Sequence, residues 1–316
     1  MPHFIPITRP GGTGMRGFSD LIRPSSLGCI ADCHARPQME KASIDAMPIL
    51  AAMESPQATM GTIAHSLIAQ TISMIYHSGG PTWADPDECL NKMTTAMSKL
   101  SDWDREVVRR CVAYVVKIVD IHKPNSDGII VEKKLSGTFI GIPRGGTADV
   151  IIIANDIVVV IDHKCGFLDQ GEASEHEQMA AYAVMVFDTW KPRLVEVHLA
   201  QGRLSPRKRF SAAVYNADAI ERARRFAIGI VKAALLPDAE ISPTIKACRY
   251  CKALVVCRAA RERIMKANEE LSLFGPPETP EDRVRLAETA QIAQRLAASV
   301  KDLQKEWVRE QQAVAS

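Results

Sequence analysis

Long apolar runs are missing from this sequence. The most apolar stretch, residues 150–161, is interrupted by Asn155-Asp156 and is too short to span a bilayer. Residues 1–10 lack an apolar core of signal-peptide length, so a cytoplasmic protein without disulfides is the expectation. An excess of one charge is missing too. With 39 Lys and Arg against 37 Asp and Glu, the net charge of +2 gives no global field for nucleic acid, and any DNA contact must come from local basic patches. No G-x-x-x-x-G-K-[ST] run occurs, which excludes a P-loop motor within this sequence and makes any helicase a separate partner. No internal repeat is visible. At 316 residues and 47% hydrophobic content, there is apolar material for one large domain or two modest ones.

Turn residues divide the chain into four stretches. Residues 1–24, rich in Gly and Pro, read as a flexible segment. Residues 25–127 read as helical, with helices over 38–77 (broken near Ser55-Pro56), 85–100 and 102–121. At Gly128 the period changes to two, and strands are predicted over 128–135, 138–142, 147–154 and 157–164. A helix over 172–190, strands over 193–200 and 208–215, and a helix over 217–235 complete a core of 128–274 that ends in a cysteine cluster. Gly275-Pro276-Pro277 opens a helical tail, 275–316, whose apolar residues pack on the body or meet another subunit. The layout predicts an α/β or α+β fold with a mixed, mostly antiparallel sheet flanked by helices.

Asn155 and Asp156 both tolerate the positive φ of a two-residue hairpin turn. Pairing Ala154 with Ile157 then sets Asp149 opposite Asp162, and Lys164 points to the same face as Asp162. Opposed residues have Cβ atoms about 5 Å apart, where like charges repel, and burial among Val and Ile makes each carboxylate costly. A divalent cation between the two carboxylates removes the conflict. Hard oxygen ligands suit Mg²⁺ or Mn²⁺, and the chemistry that follows is metal-assisted hydrolysis, with Lys164 orienting water or neutralising phosphate charge. On spacing alone, the three residues equally fit strand ends at a solvent boundary, with Asp162 simply paired to Lys164.

Gly146-Thr147-Ala148-Asp149 followed by Val159-Val160-Ile161-Asp162-His163-Lys164-Cys165-Gly166 resembles the "G-T-x-D … D-x-K-T-G" signature of the RecB-like branch of PD-(D/E)xK nucleases. Cys165 stands where that signature has Thr. Gly61-Thr62-Ile63-Ala64-His65 is similar to the branch's upstream helix motif, whose histidine binds metal. Gln178-Met179-Ala180-Ala181-Tyr182 matches its Q-x-x-x-Y motif. The resemblance implies a restriction-endonuclease-like core and hydrolysis of DNA, by an exonuclease rather than an endonuclease. His65, Asp149 and Asp162 would bind metal, and Lys164, Gln178 and Tyr182 would complete the site. It also implies a setting in recombination, repair, phage replication or CRISPR adaptation, beside a separate helicase, recombinase or single-strand-annealing protein. A catalytically inert, DNA-binding or recombination-accessory chain is the alternative.

Cys248-x-x-Cys251 followed by five residues and Cys257 puts three thiols within ten residues, a spacing that reads as metal binding. In AddB-type and CRISPR-associated exonucleases of the same branch, such a tail joins an upstream cysteine to hold a [4Fe–4S] cluster. By that resemblance Cys33 is the fourth ligand, with Cys29 the rival, and the cluster would be a staple. Four thiolates suit zinc as well. Cys89, Cys111 and Cys165 read as buried thiols. Arg203, Arg207, Lys208 and Arg209 sit in or beside a turn and are candidates for tracking a phosphate backbone, or equally for a solvated face.

Overall fold

Two hydrophobic spacings, every second residue and every third or fourth, sort the chain into strands and helices. The computed structural model describes residues 18–52, 56–77, 85–93, 97–166 and 168–315. Its longer elements, in order, are α1 (Leu27–Asp32), α2 (Arg36–Ala46), α3 (Pro56–His77), α4 (Asp102–His122), β1 (Ile129–Gly137), β2 (Ile142–Ala154), β3 (Ile157–His163), α5 (Glu177–Trp190), β4 (Leu194–Ala200), β5 (Phe210–Tyr215), α6 (Ala217–Leu235), α7 (Arg258–Phe274) and α8 (Pro280–Ala315). None of the described helices is long and apolar enough to cross a membrane. The chain divides into two units, one of Glu54–Ile228 and one that joins Met1–Met53 to Gly229–Ser316. This division cuts across the linear one expected from turn residues, because contact between distant segments leaves no mark in local composition.

The Glu54–Ile228 unit is built on a five-stranded sheet in the order β1-β2-β3-β4-β5. Pairing is antiparallel throughout except between β3 and β4, which run parallel. A parallel pair needs a crossover, and α5 supplies it. The hairpin register is the expected one: Asn155 takes φ 53°, Ala154 pairs with Ile157, and the ladder runs back to Val150 opposite Ile161. On one face of the sheet, Ile129, Val150, Ile152, Val159 and Ile161 pack with Leu67, Ile68 and Ile72 of α3 and with Val108, Val112 and Val115 of α4. The α4 positions recur every three or four residues, and Ser101 caps the helix by accepting from Asp104 N. The alternate strand positions face the other way, where α5 packs against β1, β3 and β4.

The strand expected over 138–142 is absent. Thr138–Ile140 forms a 3₁₀ turn closed by Gly141 at φ 78°, and β2 then runs unbroken from Ile142. Gly145, at φ 61°, lies within that strand at a shift of register, where an added Cβ would overlap the Leu135 carbonyl oxygen. The helix expected over 172–190 starts only at Glu177, and of the one expected over 85–100 the helix Pro86–Lys92 is described, with residues 94–96 outside the described set and Met97 helical again.

In the second unit, Cys248, Leu254, Ala260 and Ile292 form a small core with Ile245, Ile264 and Leu296 around it. The N-terminal helices join it through specific bonds. Ala35 N donates to Glu240 O at 2.9 Å, Gln38 Nε2 to Ala234 O at 2.9 Å, and Thr244 Oγ1 to Asp32 Oδ2 at 2.8 Å.

Candidate metal and nucleic-acid site

Asp162 ends the apolar run of β3 and is buried. Gln178 Nε2 donates to Asp162 Oδ1 at 2.8 Å, and Lys164 Nζ donates to Gln178 Oε1 at 2.8 Å. Lys164 Nζ also stands 2.8 Å from Asp162 Oδ2, as an ion pair off the line of a hydrogen bond, so this buried oxygen accepts none. The three side chains close a triangle between β3 and the first turn of α5. Tyr182, one turn on from Gln178, donates to Thr147 O at 2.6 Å, which pins β2 two residues before Asp149. Burial, and then the charge of Asp162, push the Tyr182 hydroxyl pKa well up, so it stays a donor.

Asp149 has different partners from those drawn by the hairpin alone. The β2–β3 ladder ends at Val150 and Ile161, and the Asp149 carboxylate accepts from His163 N at 2.7 Å. His65 Nδ1 lies 3.3 Å and His163 Nδ1 3.4 Å from the same oxygen. Burial works against the Asp149 charge, yet the bonds from His163 and His65 hold its pKa well below the usual carboxylate range. For His65, burial favours the neutral ring, but the bonds to Asp149 and Cys165 raise its pKa to about 11. Cys165, in the Thr position of the motif, is buried against both His65 and Cys111. Thus His65 and Asp149 form one cluster, and Asp162, Lys164 and Gln178 form another. Tyr182 lies within electrostatic reach of both carboxylates.

Sequence reasoning passed over two side chains here. Glu132 sits on β1 at φ 53°, a left-handed conformation rare for a side-chain-bearing residue, and its carboxyl pKa is raised by burial and by Asp149. His163 is fully buried, with Nε2 accepting and donating nothing. Only a dihedral angle marks the first, and only a tertiary contact the second. Among the described residues, no group of three or more His, Cys, Asp or Glu side chains is arranged to hold a metal ion as it stands.

In the second unit, Cys33, Cys248 and Cys251 each lie within electrostatic reach of Cys257. Burial pushes the Cys248 thiol up to about 12, with Cys257 and Cys33 adding to the rise. Burial likewise raises Cys33, to which Cys257 contributes, and raises Cys251 well above its ordinary value. Cys29, the rival to Cys33, donates to Lys246 O at 3.4 Å and, like Cys251, lies within electrostatic reach of Arg36.

The basic turn is less uniform than expected. Arg203 is not a solvated side chain: its guanidinium pairs with Asp104 and donates to the Cys165 carbonyl, with its side chain only 9% exposed, and so braces the end of the β3 segment. Lys208 pairs with Asp169 at 2.7 Å, Arg209 donates to Leu204 O, and Arg207 is exposed.

Residues 33–315 match the family described as "Protein of unknown function (DUF2800)". The chain belongs to this family. The DUF2800 match runs from Cys33 through α8 and so takes in His65, both aspartates, Lys164, Gln178, Tyr182 and all three clustered cysteines. No solved structure matches the chain.

Proposed function

We propose that this DUF2800 chain is a metal-dependent DNA nuclease of the PD-(D/E)xK kind, with Asp149, Asp162 and Lys164 at its centre. The observation that carries the reading is the Asp162–Lys164–Gln178 triangle on an otherwise Val- and Ile-rich strand. A buried acid with a part-buried base contributes less to packing than hydrophobes of similar volume, so a chemical task is the simpler account of the pair. The donor set suits Mg²⁺ or Mn²⁺: two carboxylates and an imidazole, with one buried Asp162 oxygen that accepts no hydrogen bond. His65, Asp149 and Asp162 would hold the ion, exchanging part of their present contacts for it. Bound there, it supplies a Lewis acid for phosphate oxygen and lowers the pKa of water. Lys164, aimed by Gln178, orients the water or neutralises charge on the phosphate, and Tyr182 fixes the strand of Asp149. DNA is the proposed substrate and exonucleolytic cleavage the proposed mode, beside a separate helicase, recombinase or annealing protein.

Cys33, Cys248, Cys251 and Cys257 are proposed to hold a [4Fe–4S] staple, with zinc the alternative; four neighbouring thiols are the donor chemistry either centre requires. The test of the active site is incubation of end-labelled single- and double-stranded DNA with Mn²⁺. Asp162→Ala and Lys164→Ala are each expected to lower cleavage about a hundredfold or more. Equal cleavage by wild type and both variants would end this reading. DNA binding by a wild type that never cleaves would support the inert accessory instead.

A further inference from the structure

Arg36 is one of the few buried charged residues among those described, and it lies three residues after Cys33. Its backbone amide donates to Cys33 O at 3.0 Å and lies against the Cys33 thiol. Its guanidinium Nη1 donates to Ala247 O at 3.1 Å, on the residue just before Cys248. Its Nε donates to Glu40 Oε1 at 3.0 Å, and the same carboxylate oxygen accepts from Lys252 N at 3.0 Å, on the residue just after Cys251. One arginine and one glutamate, a single helical turn apart on α2, therefore grip the backbone beside two of the clustered cysteines. The guanidinium charge also acts on Cys33, Cys248 and Cys251 directly.

A doubly positive metal centre held by four thiolates keeps a net negative charge, and burial makes that charge expensive unless a cation lies beside it. Packing alone does not call for an arginine at a position this buried. We propose that Arg36 is the counter-charge of the four-thiolate centre, and that Glu40 is the latch setting how much of that charge the centre feels. Both are positioning residues. The inference rests on the reading of the cysteines as a metal site.

The experiment uses the full chain purified without oxygen. Iron, acid-labile sulfide and zinc are counted per chain, and the potential of an iron–sulfur centre is titrated with paramagnetic resonance as readout. Arg36→Gln removes the positive charge, and the centre is expected to become harder to reduce and to lose metal to a chelator about tenfold faster. Glu40→Gln removes the negative charge while keeping an acceptor for Lys252 N, and its potential is expected to shift the opposite way. A merely structural role does not produce opposite shifts. If Arg36→Gln does not fold, the Glu40→Gln shift together with an unchanged potential in Arg36→Lys, which retains the charge, decides the matter. Wild-type potentials in both neutralising variants would overturn the proposal. A zinc-loaded wild type sinks the iron–sulfur reading and leaves Arg36 to be judged by chelator loss alone, where a wild-type rate in Arg36→Gln overturns it. A wild type that binds no metal ends both.

Discussion

Gln178 shows how much one side chain organises. Its amide presents a donor to Asp162 and an acceptor to Lys164, an orientation that only a neutral amide provides. Gln178→Ala is expected to cost about 2 kcal/mol, since it strands two partners of charged hydrogen bonds in a buried place. Urea denaturation checks this, and cleavage should fall with Asp162 and Lys164 still present. At this scale the sequence was partly legible. That Asp162 and Lys164 share one face could be read from strand spacing, whereas Gln178 and Tyr182 were marked only by the resemblance of their motif. The carboxylate of Asp149 could not be placed, because its direction is decided by a backbone amide at His163 and by a helix far upstream in sequence. The pairing of Arg203 was not legible, because a charged residue in a turn looks exposed until its part-buried Asp104 partner is seen.

Elements followed the same division. The β2–β3 hairpin was legible to the residue, since Asn155-Asp156 determines both the turn and the register. The β1–β2 connection was not: Phe139 and Ile140 look like strand residues, and the local alternation conceals the 3₁₀ turn that Gly141 closes. Gly145 is the pivot of that connection. Gly145→Ala is expected to destabilise the protein by about 2 kcal/mol or more, because the new Cβ meets backbone at a strained φ. The denaturant midpoint reads this directly. A second element-scale test concerns Asp188 of α5, which binds Arg224 of α6 through both oxygens, at 2.6 and 2.9 Å. Burial alone would raise the Asp188 pKa, but Arg224 and Lys191 lower it below its ordinary 3.8. A lowered folded pKa means the contribution is complete above 3.8 and disappears as pH falls through the folded value. Wild type is therefore expected to be more stable than Asp188→Asn at neutral pH and to lose that margin below about pH 4, as thermal unfolding across a pH series would show.

At the scale of the whole molecule, the fold class was legible from the change of period at Gly128, and the mixed, mainly antiparallel sheet is what that change implies. The discontinuous unit was not legible in composition or periodicity, and only the resemblance that joins Cys33 to the later cysteines pointed from residues 18–52 toward Gly229–Ser316. If the four cysteines hold a centre, stripping it with a chelator is expected to raise amide hydrogen exchange in α1, α2 and residues 229–274 while β1–β5 remain protected. Uniform loss of protection across both units would show that they are not independently stable.

The interleaved order of the two units also has a consequence for synthesis. As the chain leaves the ribosome, the strands and helices of Glu54–Ile228 are complete before Cys248 has been made. Cys33, translated first of the four, must wait through all of that unit for its companions. The sheet and its carboxylates can thus form on a nascent chain that has no four-cysteine site, and if those cysteines hold a metal centre, the supply of metal would act only on the last stage of maturation.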